Sequence, residues 1–261
     1  MAQETEIDRV VLWLQRARRV LFITGAGISA DSGLPTYRGI GGLYNRETTD
    51  EGYSIEEALS GQMFQEHPEI TWKYVCQIAA ASKDATFNRA HEFIAWLQTQ
   101  ARTVWVLTQN VDGFHRQAGS TNVIDIHGDV HDLTCTRCPY GSRVTDYTKL
   151  PPLPHCPECK GVLRPKVVLF GELLPPDKVA LMHRELETGF DLMFSIGTSS
   201  IFPYISGPIF KARRLGVPTV EINPETTDVS AVVDVRLTAG AAVTCDALWR
   251  RLEAARSSAT R

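Results

Sequence analysis

Residues 20–39 read VLFITGAGISADSGLPTYRG, an apolar run followed at once by a loop of small residues. Val20, Leu21, Phe22 and Ile23 form a continuous apolar stretch of the kind that becomes a strand buried on both faces of a parallel sheet. Gly25, Gly27 and Ala30 then match the spacing G-x-G-x-x-G/A, in which small residues let the backbone turn tightly and approach a pyrophosphate. An ordinary unit of this type continues through a helix to a second strand, ending in a ribose-binding acid about 20 residues on. Here Pro35, Arg38, Gly39, Gly41 and Gly42 stand where that helix would run. The stretch therefore predicts a dinucleotide-type loop at the tip of a parallel strand that leads into something other than a second strand.

Outward from this loop the chain alternates helical and strand-like text. Ile7, Val10, Val11 and Leu14 recur at helical spacing before the first strand, and Phe93, Ile94 and Leu97 do so before the run Val104 to Leu107. Leu192 to Ile196, a helical segment over 203–214, Val217 to Ile222 and a closing helix over 246–255 follow. This predicts an α/β fold with a Rossmann-like parallel sheet covered by helices on both faces. Two stretches break the alternation: polar, helical text after Gly39, and Cys- and Pro-rich text from His131. The expected division is a discontinuous sheet domain over 1–38, 84–130 and 165–261, with a smaller domain built from 39–83 and 131–164.

The 261 residues, 43% hydrophobic and 22% charged, suffice for one large core with a small satellite. A formal net charge of −3 gives no global electrostatic footprint for nucleic acid or an anionic membrane. No run approaches the ~18 apolar residues of a membrane span, and MAQETEIDRV lacks the basic start and apolar core of a secretory signal. A cytoplasmic protein is expected, in which six cysteines serve as ligands, reactive thiols or core residues more readily than as disulfides.

Cys135 and Cys138 form one C-x2-C pair and Cys156 and Cys159 another, separated by residues 139–155. That spacing matches a four-thiolate structural zinc site, which closes a tetrahedron and leaves no position for water. Redox chemistry and chance core cysteines are the competing readings. A zinc ribbon is also compatible with nucleic-acid binding, but Arg137, Arg143, Lys149 and Lys160 are interleaved with Asp146 and Glu158. Cys76 and Cys245 have no partner at ligand spacing.

Five motifs stand in order, GAGISADSGLPTYRG, TQNVDGFHRQAG, IHGDVH, CTRC…CPEC and VVLFGELLP, followed by GTSS and EINPE. Taken together they resemble the sirtuin family of NAD-dependent protein lysine deacylases, and the resemblance covers nearly the whole chain. It implies that the loop after the first strand holds NAD and then becomes a cofactor-binding segment. Gly25, Ala26, Gly27, Ser29, Pro35, Thr36, Tyr37 and Arg38 would contact the cofactor, the Tyr37 ring standing where most of the family has Phe. The resemblance likewise assigns Asp112 to the nicotinamide carboxamide and Gln109 and Asn110 to the adjacent ribose. It assigns Gly197, Thr198, Ser199, Asn223 and Ala242 to the remainder of NAD.

By the same resemblance His127 is the general base, with Asn110 also in the catalytic centre. An imidazole of unperturbed pKa ~6.5 suits that task near neutral pH. Val168, Phe170 and Gly171 lie in a segment similar to the family's cleft, where an acyl-lysine peptide adds as a strand. The implied reaction consumes NAD and gives deacetylated lysine, nicotinamide and O-acetyl-ADP-ribose, with a structural Zn2+ outside the chemistry. A mono-ADP-ribosyltransferase using the same site, a deacylase for other acyl groups and a non-catalytic zinc-ribbon module are the rival readings. Family members that remove acidic acyl groups carry Tyr-x-x-Arg in the helical insertion. In ITWKYVCQIAAASK the matching pair is read as Tyr74 and Gln77, which predicts a preference for neutral acyl groups.

Overall fold

The computed structural model describes residues 2–34, 48–81, 83–100 and 102–259. The expected cofactor contacts Pro35, Thr36, Tyr37 and Arg38 lie outside the described residues. The chain enters through α1 (Ala2–Arg16), β1 (Arg19–Thr24) and the single turn α2 (Gly27–Ala30). Helices α3 (Ile55–Ala58), α4 (Gly61–Glu66) and α5 (Pro68–Ala81) then form the insertion. The alternation resumes with α6 (Arg89–Gln98), β2 (Thr103–Thr108), α7 (Phe114–Gln117) and β3 (Val123–Asp125). Next come β4 (Gly128–Cys135), β5 (Gly141–Arg143) and β6 (Leu163–Val167) of the ribbon. The chain closes with α8 (Pro176–Thr188), β7 (Leu192–Ile196), α9 (Pro203–Arg214), β8 (Thr219–Ile222), β9 (Val235–Leu237) and α10 (Ala241–Ala259).

Six strands form one sheet in the order β3-β2-β1-β7-β8-β9, and every neighbouring pair is parallel. The strand order reverses between β1 and β7, the place where an open parallel sheet opens a crevice for ligands. Alternation along β1 explains why its run is apolar throughout. Val20 and Phe22 pack in the core under α1, α6 and α10 with Leu14, Phe93 and Leu248. Leu21 and Ile23 face the opposite core with Met182 of α8 and Ile205 and Ile209 of α9. Phe22 stacks on Phe194 of β7 with ring centroids 4.6 Å apart, tying the two strands at the reversal.

The small module is a three-stranded sheet, β5-β4-β6, antiparallel throughout. It begins at Gly128 and ends at Val167, slightly wider than the 131–164 expected for the ribbon. The ribbon does not stand alone. Leu133, Cys135, Cys156 and Leu163 share a core with Ala58, Phe64, Trp72 and Val75 of the helical insertion, and Trp72, fully buried, donates its indole N–H to the Leu163 carbonyl at 2.8 Å. Short helices in the insertion are secured by their caps. Ser54 and Glu57 form a reciprocal capping box on α3, and the Ser60 hydroxyl accepts from the Met63 N–H on α4. No helix among the described residues is long and apolar enough to cross a membrane.

Candidate active site and metal centre

The loops after β1 and β7 meet closely enough that only glycine fits. The Gly27 N–H donates to the Gly197 carbonyl at 2.8 Å, and a Cβ on Gly27 would lie 2.6 Å from the Gly197 Cα. Gly197 itself has φ of +60°, and a Cβ there would stand 2.3 Å from the Ile28 nitrogen. A Cβ on Gly25 would meet the Thr198 side chain at 2.7 Å. Around this backbone clasp the polar side chains converge. Gln109 donates to the Thr198 hydroxyl at 2.7 Å, and Asn223, beyond β8, donates to the Thr198 carbonyl at 3.2 Å. Ser199 follows Thr198 on the same loop. Ala242 is on the first turn of α10, where its N–H is taken by the Asp31 carboxylate at 2.8 Å.

A cavity of about 470 Å³ opens beside the clasp, bounded by Ala26, Ser29, Asn110 and Asp112 on one side and by Ile78, His131 and Tyr147 on the other. Asn110 donates to the Gly25 carbonyl and to the Ser29 hydroxyl, and Ser29 in turn donates to Asp112 at 2.8 Å. Burial pushes the Asp112 carboxyl above its usual range, while hydrogen bonds from the Phe114 N–H and Ser29 act in the opposite direction. A buried carboxylate on a cavity wall is an acceptor suited to a carboxamide N–H. Together with the switch-point crevice and its glycine clasp, this donor and acceptor set fits a nicotinamide dinucleotide.

His127 sits at the joint between β3 and β4, where the parallel sheet gives way to the ribbon. Its Nδ1 is 3.0 Å from the Gln109 carbonyl, which can only accept, so Nδ1 carries the proton and Nε2 presents its lone pair. Burial lowers the imidazole's pKa; the Gln109 hydrogen bond opposes this, and the positive charge of Lys178 adds to it. The surroundings therefore favour the neutral ring. The Nε2 atom lies 2.7 Å from the Tyr204 hydroxyl, a partner that sequence reasoning did not identify. The bond joins residues 77 positions apart, and only the packing of α9 against the β3–β4 joint brings them together.

The 167–172 segment links the two modules. The Val168 N–H donates to the His127 carbonyl at 2.8 Å. Phe170 bridges to Ser60 in parallel register, its N–H donating to Leu59 and its carbonyl accepting from Gly61. A bidentate ion pair from Arg164 to Glu172, at 2.8 and 2.9 Å, clamps the far end next to Gly171.

The helical insertion shows which side chains of α5 reach the cavity. Tyr74 and Gln77 do not form a pair facing the cavity. The Tyr74 hydroxyl is engaged by Glu51 at 2.5 Å, and Gln77 is exposed. At ~100° per residue the neighbouring position is the one that turns inward, and α5 presents Ile78 and Ala79 to the cavity.

In the ribbon the sulfurs of Cys135, Cys138, Cys156 and Cys159 all lie within 4.8 Å of one another, with Cys135–Cys159 at 3.4 Å and Cys138–Cys156 at 3.6 Å. A tetrahedron with Zn–S bonds of about 2.3 Å has edges of about 3.8 Å, so the cluster has the size and donor type for zinc. Backbone N–H groups of Arg137 and Gly161 point at the Cys135 and Cys159 sulfurs, as thiolate charge requires.

A glycine clasp at the switch point of a parallel sheet, a buried carboxylate in the adjoining cavity and a four-thiol ribbon define a dinucleotide-binding α/β protein with a site that can hold zinc. The family model described as "Sir2 family" matches residues 25–202, and the chain belongs to that family, the sirtuins. It is 48% identical over 243 residues to NAD-dependent protein deacylase 2 of Pseudomonas aeruginosa, covering 91% of this chain and 94% of that protein. It is 37% identical over 251 residues to NAD-dependent protein deacylase 1 of Archaeoglobus fulgidus, covering 96% and 99%. Among solved structures it resembles an ADP-ribose complex of a Sir2 homologue, with a TM-score of 0.86 at 36% identity over 96% of this chain and 98% of the other.

Proposed function

We propose that this protein is an NAD-dependent protein lysine deacylase acting on acetyl-lysine, with His127 as general base. The geometry at His127 is the observation that carries the residue assignment: a neutral imidazole, fixed through Nδ1–H to Gln109, with the Nε2 lone pair at the joint between the crevice and the ribbon. Bound NAD supplies an activated sugar carbon with nicotinamide as leaving group. Asp112 accepts from the carboxamide, and Asn110 and Ser29 hold Asp112 and the Gly25 backbone in register. Gln109, Thr198, Ser199 and Asn223 take the sugars, while Gly25, Ala26 and Gly27 allow the phosphates to approach the backbone. His127 takes the proton of a ribose hydroxyl at Nε2, the step for which positioned bases contribute roughly 10²–10⁴-fold. Pro35, Thr36, Tyr37 and Arg38 complete the cofactor contacts in this reading, and Ala242 flanks them.

The peptide adds along Val168, Phe170 and Gly171, a segment already fixed by the bridge to Ser60 and the Arg164–Glu172 pair. Neutral acyl groups are favoured because α5 offers Ile78 and Ala79 to the cavity. Of the cations there, Arg143 already carries Asp129 and Asp132, and Lys83 is exposed. The four cysteines hold Zn2+ in a purely structural role, and free thiols of this kind suit a reducing compartment such as the cytoplasm. The proposed division is a sheet module over 1–38, 84–130 and 165–261 and a small module over 39–83 and 131–164, from which the strand bounds depart at the seam, where β4 starts at Gly128 and β6 ends at Val167.

Mass spectrometry of the products from NAD and an acetyl-lysine peptide tests the reading. Free lysine peptide, nicotinamide and O-acetyl-ADP-ribose in equal amounts are expected. ADP-ribosylated peptide with its acetyl group retained would replace this reading with mono-ADP-ribosyl transfer.

A further inference from the structure

The Tyr204 phenol is hydrogen-bonded to the one atom of His127 that has to be free for base catalysis. Because Nδ1 is committed as donor to Gln109, Nε2 must accept, and Tyr204 donates at 2.7 Å. Burial pushes the Tyr204 phenol up to about 12, so it keeps its proton across the physiological range. Tyr204 lies on the first turn of α9 and stacks on Phe202 with centroids 5.5 Å apart. Both rings stand nearly perpendicular to the His127 imidazole, at 78° and 87°. Phe202 is 40% exposed, so this aromatic pair borders solvent.

We propose that Tyr204 is a positioning residue for His127: in the empty enzyme its hydroxyl holds the imidazole in the Nδ1–H tautomer and caps Nε2, and it must yield that atom to the ribose hydroxyl when the substrates bind. This rests on the assignment of His127 as base. The bond has two consequences. A donor on Nε2 stabilises the neutral ring and opposes a second proton, so the base is ready at lower pH. The cap also keeps Nε2 aimed at one place instead of turning with the ring. The other group facing the ring is Lys178 of α8, whose ammonium is paired with Asp125 at 2.8 Å. Lys178 also disfavours the imidazolium, and Tyr204→Phe leaves it unchanged.

The test compares wild type with Tyr204→Phe, which keeps the ring and its stacking and removes only the hydroxyl. In the free protein, the His127 imidazole is titrated by nitrogen-15 NMR; with NAD and acetyl peptide, kcat/KM and kcat are measured against pH. The acid limb of kcat/KM reports the free enzyme and that of kcat the bound one. Loss of one hydrogen bond should raise the His127 titration in the free protein by about one pH unit or somewhat less. The acid limb of kcat/KM should move up with it, while the limb of kcat, reporting a state in which the phenol has already left, should stay in place. An identical His127 titration in the two proteins would overturn the proposal. A raised titration with an unmoved kcat/KM limb would overturn it by the other route, since the hydrogen bond would be real and the assignment of His127 as base would have failed. A single cooperative melting transition in both proteins, with a midpoint lowered by no more than the loss of one hydrogen bond explains, confirms that the fold is kept.

Discussion

The switch-point crevice and the cysteine ribbon meet at His127, and they are held together by different means. In the crevice, loops from β1, β2, β7 and β8 lock through backbone contact and through Gln109, Asn110 and Asn223, above a sheet buried on both faces. In the ribbon, strands of three to eight residues share one core with the helical insertion, and four thiols gather at its tip. His127, the proposed base, takes its orientation from both: the ring is held by the Gln109 carbonyl on the crevice side, and the backbone by Val168 on the ribbon side. If the proposed reaction centre lies at this joint, the four-thiol site supports it through the fold and not through the chemistry.

The largest expected effect comes from breaking the ribbon. Zinc contributes about 10–16 kcal/mol in isolated finger peptides, so Cys156→Ser should abolish stoichiometric metal, expose the small module to protease and remove most activity. Wild-type protein with no zinc by elemental analysis would remove the contrast altogether. Next is acyl selectivity on the α5 wall. A carboxylate brought to Ile78 without a paired cation costs several kcal/mol. Wild type should therefore favour acetyl over succinyl peptide by roughly 10²-fold in kcat/KM, and Ile78→Arg should narrow the gap. Equal kcat/KM for the two peptides in wild type would show that another cation serves the pocket.

Acid should loosen the crevice side. His91 and His115 are buried with rings 4.8 Å apart beneath the β1 tip, where His115 meets the Thr24 hydroxyl. Burial lowers His91 to about 4 and His115 well below its ordinary value. A histidine whose folded-state pKa lies below its unfolded one binds its proton first in the unfolded chain. The stability it contributes is thus complete above ~6.5 and is lost as pH falls toward about 4. The melting temperature should fall steadily through that window, and a flat profile would show that these rings are not held neutral. The smallest effects are single methyl groups. Gly27→Ala should cost about 1–3 kcal/mol by forcing the clasp apart. Gly207→Ala, in the interior of α9 with nothing near its Cβ, should stabilise by about 0.5–1 kcal/mol. Opposite shifts in denaturant midpoint, the destabilising one the larger, are the signature, and two stabilising substitutions would mean the clasp is looser than its contacts imply.

The long buried strands and the cysteine spacing were legible because each is written locally. The apolar run at Val20 and the segment over 203–214 correspond to β1 and to α9 almost residue for residue. Strands β5 and β9 are three residues long, too short for any periodicity to register, and exist only through pairing with distant partners. Which α5 side chains line the cavity was not legible from the Tyr74–Gln77 spacing, because on a helix one position turns a side chain by about 100°: Ile78 lines the cavity and Gln77 is exposed. Tyr204 and the Asp31–Ala242 contact were invisible for another reason: they join residues 77 and 211 positions apart, and no sequence window holds both ends.

The central claim is that a base at the joint performs the chemistry while the crevice alone holds the cofactor, and His127→Ala tests it most directly. With wild type and variant matched for zinc content and melting temperature, NAD affinity is measured by calorimetry and kcat on a saturating acetyl peptide. The account predicts NAD affinity within a few-fold of wild type and kcat lower by roughly 10²–10⁴-fold. A variant that keeps more than about a tenth of the wild-type kcat would contradict it.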